Sequence, residues 1–97
     1  MQIIRDEFYL QELDNILDYK AKYSLNSALN FLTNLDIKID NLISMPYKFR
    51  QSHYHNHKSV RDLIFKGYTV PYMVDETKKL IVILDIFKWK YRPIQKG

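Results

Sequence analysis

Apolar residues recur every third or fourth position in the first half of the chain and every second position in the last third. The first period belongs to helices and the second to strands. Met1–Ile4 is short and apolar and reads as a strand. Asp6 then caps a helix over about 6–22, with Tyr9, Leu13, Ile16 and Leu17, and Leu10 beside them, on the inner face. Asp14 and Asp18 fall on the other side. Ser24 is the N-cap of a second helix, whose stripe runs Leu25, Ala28, Leu29, Leu32, Leu35, Ile39, Leu42 and Ile43. Asn26, Asn30, Thr33, Asn34, Lys38 and Asn41 fill its remaining surface. Pro46 ends this helix, because a residue before proline is pushed out of the helical region.

Residues 46–59 are polar, aromatic and basic, with no clear period, and read as a loop. Val60–Phe65 is a strand. Lys66-Gly67 is a tight turn in which Gly67 supplies the unusual backbone angle. Tyr68, Val70, Tyr72 and Val74 alternate with Thr69, Pro71 and Met73. Pro71 cannot donate to a ladder, so it marks a bulge or an unpaired edge position. Asp75–Lys79 is a polar turn, and Leu80–Phe87 is an apolar run suited to a central strand. The pattern therefore predicts an α+β fold, β-α-α-β-β-β, with a helical hairpin packed on one face of a small, mainly antiparallel sheet. Leu29, Leu32, Ile39 and Leu42 are expected to face the sheet of residues 60–87, and its other face to be open to a partner.

A chain of 97 residues suits one domain, 1–97, with a modest core and little room for a deep cavity. Without cysteine there is no disulfide framework and no thiolate chemistry, which fits a reducing cytoplasm. Arg5, Asp6 and Glu7 stand where a signal peptide would need apolar residues. No apolar run reaches the ~20 residues of a spanning helix, so no membrane role is expected. Charge is unevenly spread. Residues 1–43 hold four Lys/Arg and seven Asp/Glu, a net −3; residues 44–97 hold eleven and four, a net +7. A basic half points to an acidic or polyanionic partner, against the plainer reading of a solvated face.

His53-Tyr54-His55-Asn56-His57 resembles a metal cluster in its alternation. Without cysteine or adjacent carboxylates it makes a poor ligand set, so no metal and no cofactor are expected. A histidine there could still move protons near neutral pH. Lys48, Arg50, Lys58, Arg61, Lys88, Lys90 and Arg92 are interleaved with Tyr47, Phe49, Tyr54, Trp89 and Tyr91. Cations bind phosphate and exposed rings stack on bases, whereas half-buried rings would simply be covered by lysine stems. Gly67 and Gly97 are the only glycines, which argues against nucleotide binding of the P-loop or Rossmann type. No spacing supports a Ser/His/Asp triad.

The stretch Val60-Arg61-Asp62-Leu63-Ile64-Phe65-Lys66-Gly67-Tyr68-Thr69-Val70-Pro71-Tyr72-Met73-Val74-Asp75 resembles the RelE/ParE toxin superfamily: an arginine-led strand, a turn, "GY", then "V-x-Y-x-V". Leu80–Ile86 resembles its last core strand, and Leu42-Ile43-Ser44-Met45-Pro46 the helix end and proline that precede the motif. The resemblance implies a toxin paired with an antitoxin that wraps its helices or its sheet face. RelE-like members cut messenger RNA on the ribosome with basic residues and often a C-terminal tyrosine. ParE-like members poison DNA gyrase and lack that catalytic set. Here Thr69 follows "GY" where many members carry arginine, and Phe87 stands where many carry histidine. The missing arginine favours the ParE-like branch and gyrase. The alternatives are a ribosome-dependent endoribonuclease and an inactive relative that only binds its antitoxin.

For a ribonuclease the catalytic candidates are Arg61, Lys88, Tyr91, Arg92 and His55. For target binding they are Lys58, Arg61, Lys88, Trp89, Lys90 and Arg92. Arg61 is expected to be functional rather than structural. If Val60 and Ile64 meet the helices, it leaves the sheet on the open side, where its planar fork suits carboxylate or phosphate. A structural ion pair, for example with Asp85, is the competing reading.

Overall fold

The computed structural model describes residues 1–52 and 57–88. Strand β1 (Gln2–Arg5) leads into helix α1 (Glu7–Ala21), whose first turn is capped by the Asp6 carboxylate accepting from the Phe8 N–H at 3.0 Å. Helix α2 (Leu25–Asp40) starts in the same way. The Ser24 hydroxyl accepts from the Ser27 N–H at 3.2 Å, and the helix tightens into a 3-10 turn over Asn41–Ile43 before Pro46. Strands β2 (Val60–Phe65), β3 (Tyr68–Asp75), β4 (Leu80–Ile83) and β5 (Phe87–Lys88) follow.

The sheet runs β1-β4-β3-β2, with β5 also on β3. β1 lies parallel to β4, and the other pairings are antiparallel. A parallel pair needs a long crossover, and the helical hairpin forms part of it. Both residues of the β2–β3 turn take positive φ, Lys66 at 50° and Gly67 at 82°. That backbone matches the twist of a two-residue hairpin.

The apolar run 80–87 is not one strand. Between the pairs Tyr72–Ile83 and Thr69–Phe87, three residues (Leu84–Ile86) face two (Val70 and Pro71). The extra residue is a bulge, and it lies opposite the proline. The Leu84 N–H donates to the Pro71 carbonyl at 2.9 Å, so the N–H that Pro71 lacks would have pointed at the same broken edge. Pro71 itself is neither bulged nor unpaired, since it stays in register with Asp62 of β2; the bulge lies on the facing strand and divides the expected last strand into β4 and β5.

The core lies between the helices and one face of the sheet. Tyr9 and Leu13 of α1 and Phe31, Leu35 and Ile39 of α2, with Leu42, pack on Leu63, Phe65, Val70, Tyr72, Val74, Ile81 and Ile83. The predicted layers are therefore present, but α2 is rolled from its expected setting. Ile39 and Leu42 are buried and Leu32 is half-buried. Leu29 is 52% exposed, and Leu25 and Ile43 are exposed as well. Phe31, which the predicted stripe omits, takes the inner place. Its ring stands edge-on to Phe65 and Tyr68, each with centroids at 5.3 Å. A ring buries more apolar area than a leucine, and the aromatic end of the sheet offers it partners, so the helix turns to bring it in.

Candidate functional site

The face of β2 that meets the helices carries Leu63 and Phe65, while Ile64 is exposed. Alternation places Arg61 with Leu63, on the helix-facing side. The expectation that Arg61 points to the open face is therefore corrected. The opposite face is not simply open either, since Val60, Asp62, Thr69 and Pro71 are buried.

Arg61 meets a segment that sequence periodicity leaves as a loop. Residues 50–52 fold back along the outer edge of β2. The Asp62 N–H donates to the Arg50 carbonyl at 3.2 Å, the Ser52 N–H to the Val60 carbonyl at 2.8 Å, and Gln51 pairs with Arg61. This lays Pro46–Phe49 across the end of the sheet. Arg61 Nη1 donates to the Phe49 carbonyl at 3.0 Å, and its Cζ stands 4.9 Å from the Tyr47 ring centroid. Tyr72, opposite Arg61 on β3, donates its hydroxyl to the Pro46 carbonyl at 2.6 Å. The Tyr47 hydroxyl donates to Glu76 Oε2 at 2.8 Å.

This cluster is a tether more than an open anion-binding fork. The guanidinium is half-buried, one amino group is committed to backbone, and Nε is buried with no acceptor among the described residues. Nor do its hydroxyls act as bases near neutral pH. The bond to Glu76 raises the Tyr47 pKa, and burial pushes Tyr72 up to about 12. Tyr9 is also pushed up to about 12, by burial and then by the nearby Asp36 carboxylate.

Tyr9 and Tyr72 predict an alkaline limit. Between the ordinary tyrosine value of 10.0 and about 12 the unfolded chain loses these protons while the folded chain keeps them. Stability is then fully present below pH 10 and falls as pH rises towards 12. Each shift is worth on the order of 2 kcal/mol once solvent near the ring is allowed for. Urea midpoints measured across this window should fall steeply for the wild type and less steeply for Tyr72→Phe. Parallel curves would show that Tyr72 contributes nothing to the slope.

The remaining candidates are spread apart. Lys58 is exposed in the turn before β2, near the Arg61 end. Beside it, His57 is exposed, with Nδ1 at 2.7 Å from the Ser59 hydroxyl and 3.2 Å from its N–H, a local turn contact. Lys88 lies on β5 opposite Tyr68, its ammonium 5.6 Å from that ring. Tyr68 and Tyr72 are four residues apart on one strand, so Lys88 and Arg61 stand roughly 13 Å apart along the sheet. Lys58 and Arg61 thus share one end, and Lys88 belongs to the other. His53, His55, Trp89, Lys90, Tyr91 and Arg92 lie outside the described residues. Among the described residues no group of His, Asp or Glu is placed to hold a metal ion. None of the described helices is long and apolar enough to cross a membrane.

Sequence reasoning missed the parts that Tyr47, Tyr72 and Glu76 play in this cluster. Tyr47 and Glu76 are 29 positions apart, and nothing in the linear pattern pairs them.

The geometry has a counterpart among solved structures. A chain of the chromosomal ParDE toxin–antitoxin system of P. aeruginosa superposes with a TM-score of 0.73, covering 91% of this chain and 95% of that one. At 20% identity the likeness is one of fold. No match was found among curated protein sequences. Residues 3–90 match the family described as the ParE toxin of the type II toxin–antitoxin system parDE. That match spans nearly the whole chain, and the protein belongs to the ParE toxin family.

Proposed function

We propose that this chain, acting as one domain, inhibits growth by binding DNA gyrase and is held silent by a cognate antitoxin. The observation that carries the reading is the family match over residues 3–90, joined to Thr69 standing where many members of the wider superfamily carry arginine. The separation of Arg61 from Lys88 and the commitment of Arg61 to the Phe49 carbonyl also favour a binding toxin over a ribonuclease. A ribonuclease needs donors converging on one phosphate. In this reading Lys58, Arg61 and Lys88, with Trp89, Lys90 and Arg92, serve the target contact. The test is purified chain with gyrase and plasmid. Trapped, gyrase-dependent double-strand breaks are the expected product, and intact plasmid together with cut messenger RNA on ribosomes contradicts the proposal.

The antitoxin contact should be partly electrostatic and lie on the basic half, given the +7 of residues 44–97. Charge complementarity speeds encounter, and salt screens it over about 10 Å at 0.1 M. Stopped-flow association should slow several-fold from low to physiological salt. A flat rate would remove electrostatics from the encounter.

A further inference from the structure

Where α2 ends, the chain leaves a cavity of about 230 Å³ lined by Lys38, Asn41, Leu42, Ser44, Met45, Lys48 and Phe49. Its apolar lining consists of a buried Leu42, a half-buried Phe49 and an exposed Met45. Its polar groups are donor-rich: two ammoniums, an amide and a hydroxyl, with no carboxylate in the lining. Neither Lys38 nor Lys48 forms an ion pair among the described residues, and the acidic residues of α2, Asp36 and Asp40, are drawn to Arg5 at 3.4 and 3.6 Å. Lys48 sits 5.6 Å from the Phe49 ring, which keeps its charge beside the cavity. Lys38 also answers the negative end of the helix dipole, but that role needs neither a second lysine nor an apolar lining beside it.

The size limits the occupant. Sites for whole small molecules run from about 300 Å³ upwards, and this cavity is smaller. It suits a single side chain. Ile37, one turn before Asn41, and Ile43 are exposed nearby, extending the apolar surface outwards as a protein partner would need and a nucleic-acid backbone would not.

We infer that the cavity between Lys38 and Lys48 anchors one apolar side chain flanked by carboxylates, presented by an acidic segment of a partner protein. Assigning that segment to the antitoxin rests on the proposed function above; the cavity's chemistry does not.

The experiment titrates the full, isotope-labelled chain with a blocked pentapeptide carrying one leucine between paired glutamates. A second peptide has serine in place of leucine. The leucine peptide should shift the resonances of Asn41, Leu42, Ser44, Met45 and Phe49, and the serine peptide should bind at least about tenfold more weakly. The double variant K38E/K48E changes two exposed side chains and should weaken the leucine peptide by a similar factor, with the melting temperature lowered by only a few degrees because Lys38 leaves the negative end of the α2 dipole. Equal response to both peptides, no response at millimolar concentration, or shifts at other residues overturns the inference. So does displacement by a short thymidine oligonucleotide, which would mark a phosphate site. The peptide comparison on the unaltered chain decides the matter even if the variant misfolds. Growth inhibition by the chain alone tests the toxin reading separately, so the two can fail independently.

Discussion

Replacing Leu35 by alanine should lower the unfolding free energy by about 2–5 kcal/mol, whereas Leu29→Ala should change it by roughly 0.5 kcal/mol or less. Both leucines belong to the stripe that helical spacing predicts. Only one is inside: Leu35 is fully buried, while Leu29 is 52% exposed. Truncating Leu35 removes apolar contacts and leaves a hole that the rest of the core cluster cannot fully close. For a domain of this size each kcal/mol moves the melting temperature by about 4–8 °C, so the Leu35 variant should melt at least about 8 °C lower. Calorimetry on both variants checks the roll of α2. Equal losses would return the helix to its sequence-predicted setting.

Arg61→Ala should cost about 1–2 kcal/mol, or roughly 5–10 °C of melting temperature. The guanidinium donates to the Phe49 carbonyl and lies against the Tyr47 ring, fastening residues 46–49 to the end of the sheet. A charged hydrogen bond alone would be worth about 1.5–3 kcal/mol. The buried Nε without an acceptor among the described residues offsets part of that, which is why the expected loss is smaller. Arg61→Lys should recover only part, since an ammonium cannot lie flat on the ring while reaching the carbonyl. A melting temperature unchanged within error would mean that the tether contributes nothing. Toxicity assayed at a temperature where the variant stays folded separates target contact from folding. Toxicity lost there assigns Arg61 to the target, and toxicity kept leaves it a positioning residue.

The elements were legible because their signals are local. The Ser24 cap, the period of residues 68–74 and the turn at Gly67 each depend on a few neighbouring residues. What stayed hidden depends on tertiary choices. The roll of α2 is decided by Phe31 finding Phe65 and Tyr68, far along the chain. The side taken by Arg61 is fixed by parity: a strand whose two faces are both largely apolar does not announce which one meets the helices. Residues 50–52 lack any strand alternation, yet backbone hydrogen bonds to β2 recruit them to its edge. That pairing creates the cluster of Arg61, Tyr47 and Tyr72, and brings Lys48 beside the end of α2.

Gyrase is the proposed target of this ParE family member. The most direct measurement induces the chain in growing bacteria and follows DNA-damage signalling and protein synthesis together. Damage signalling that rises while synthesis continues is the predicted result. Protein synthesis that collapses first, with cut messenger RNA and no damage signal, would rule gyrase out as the target.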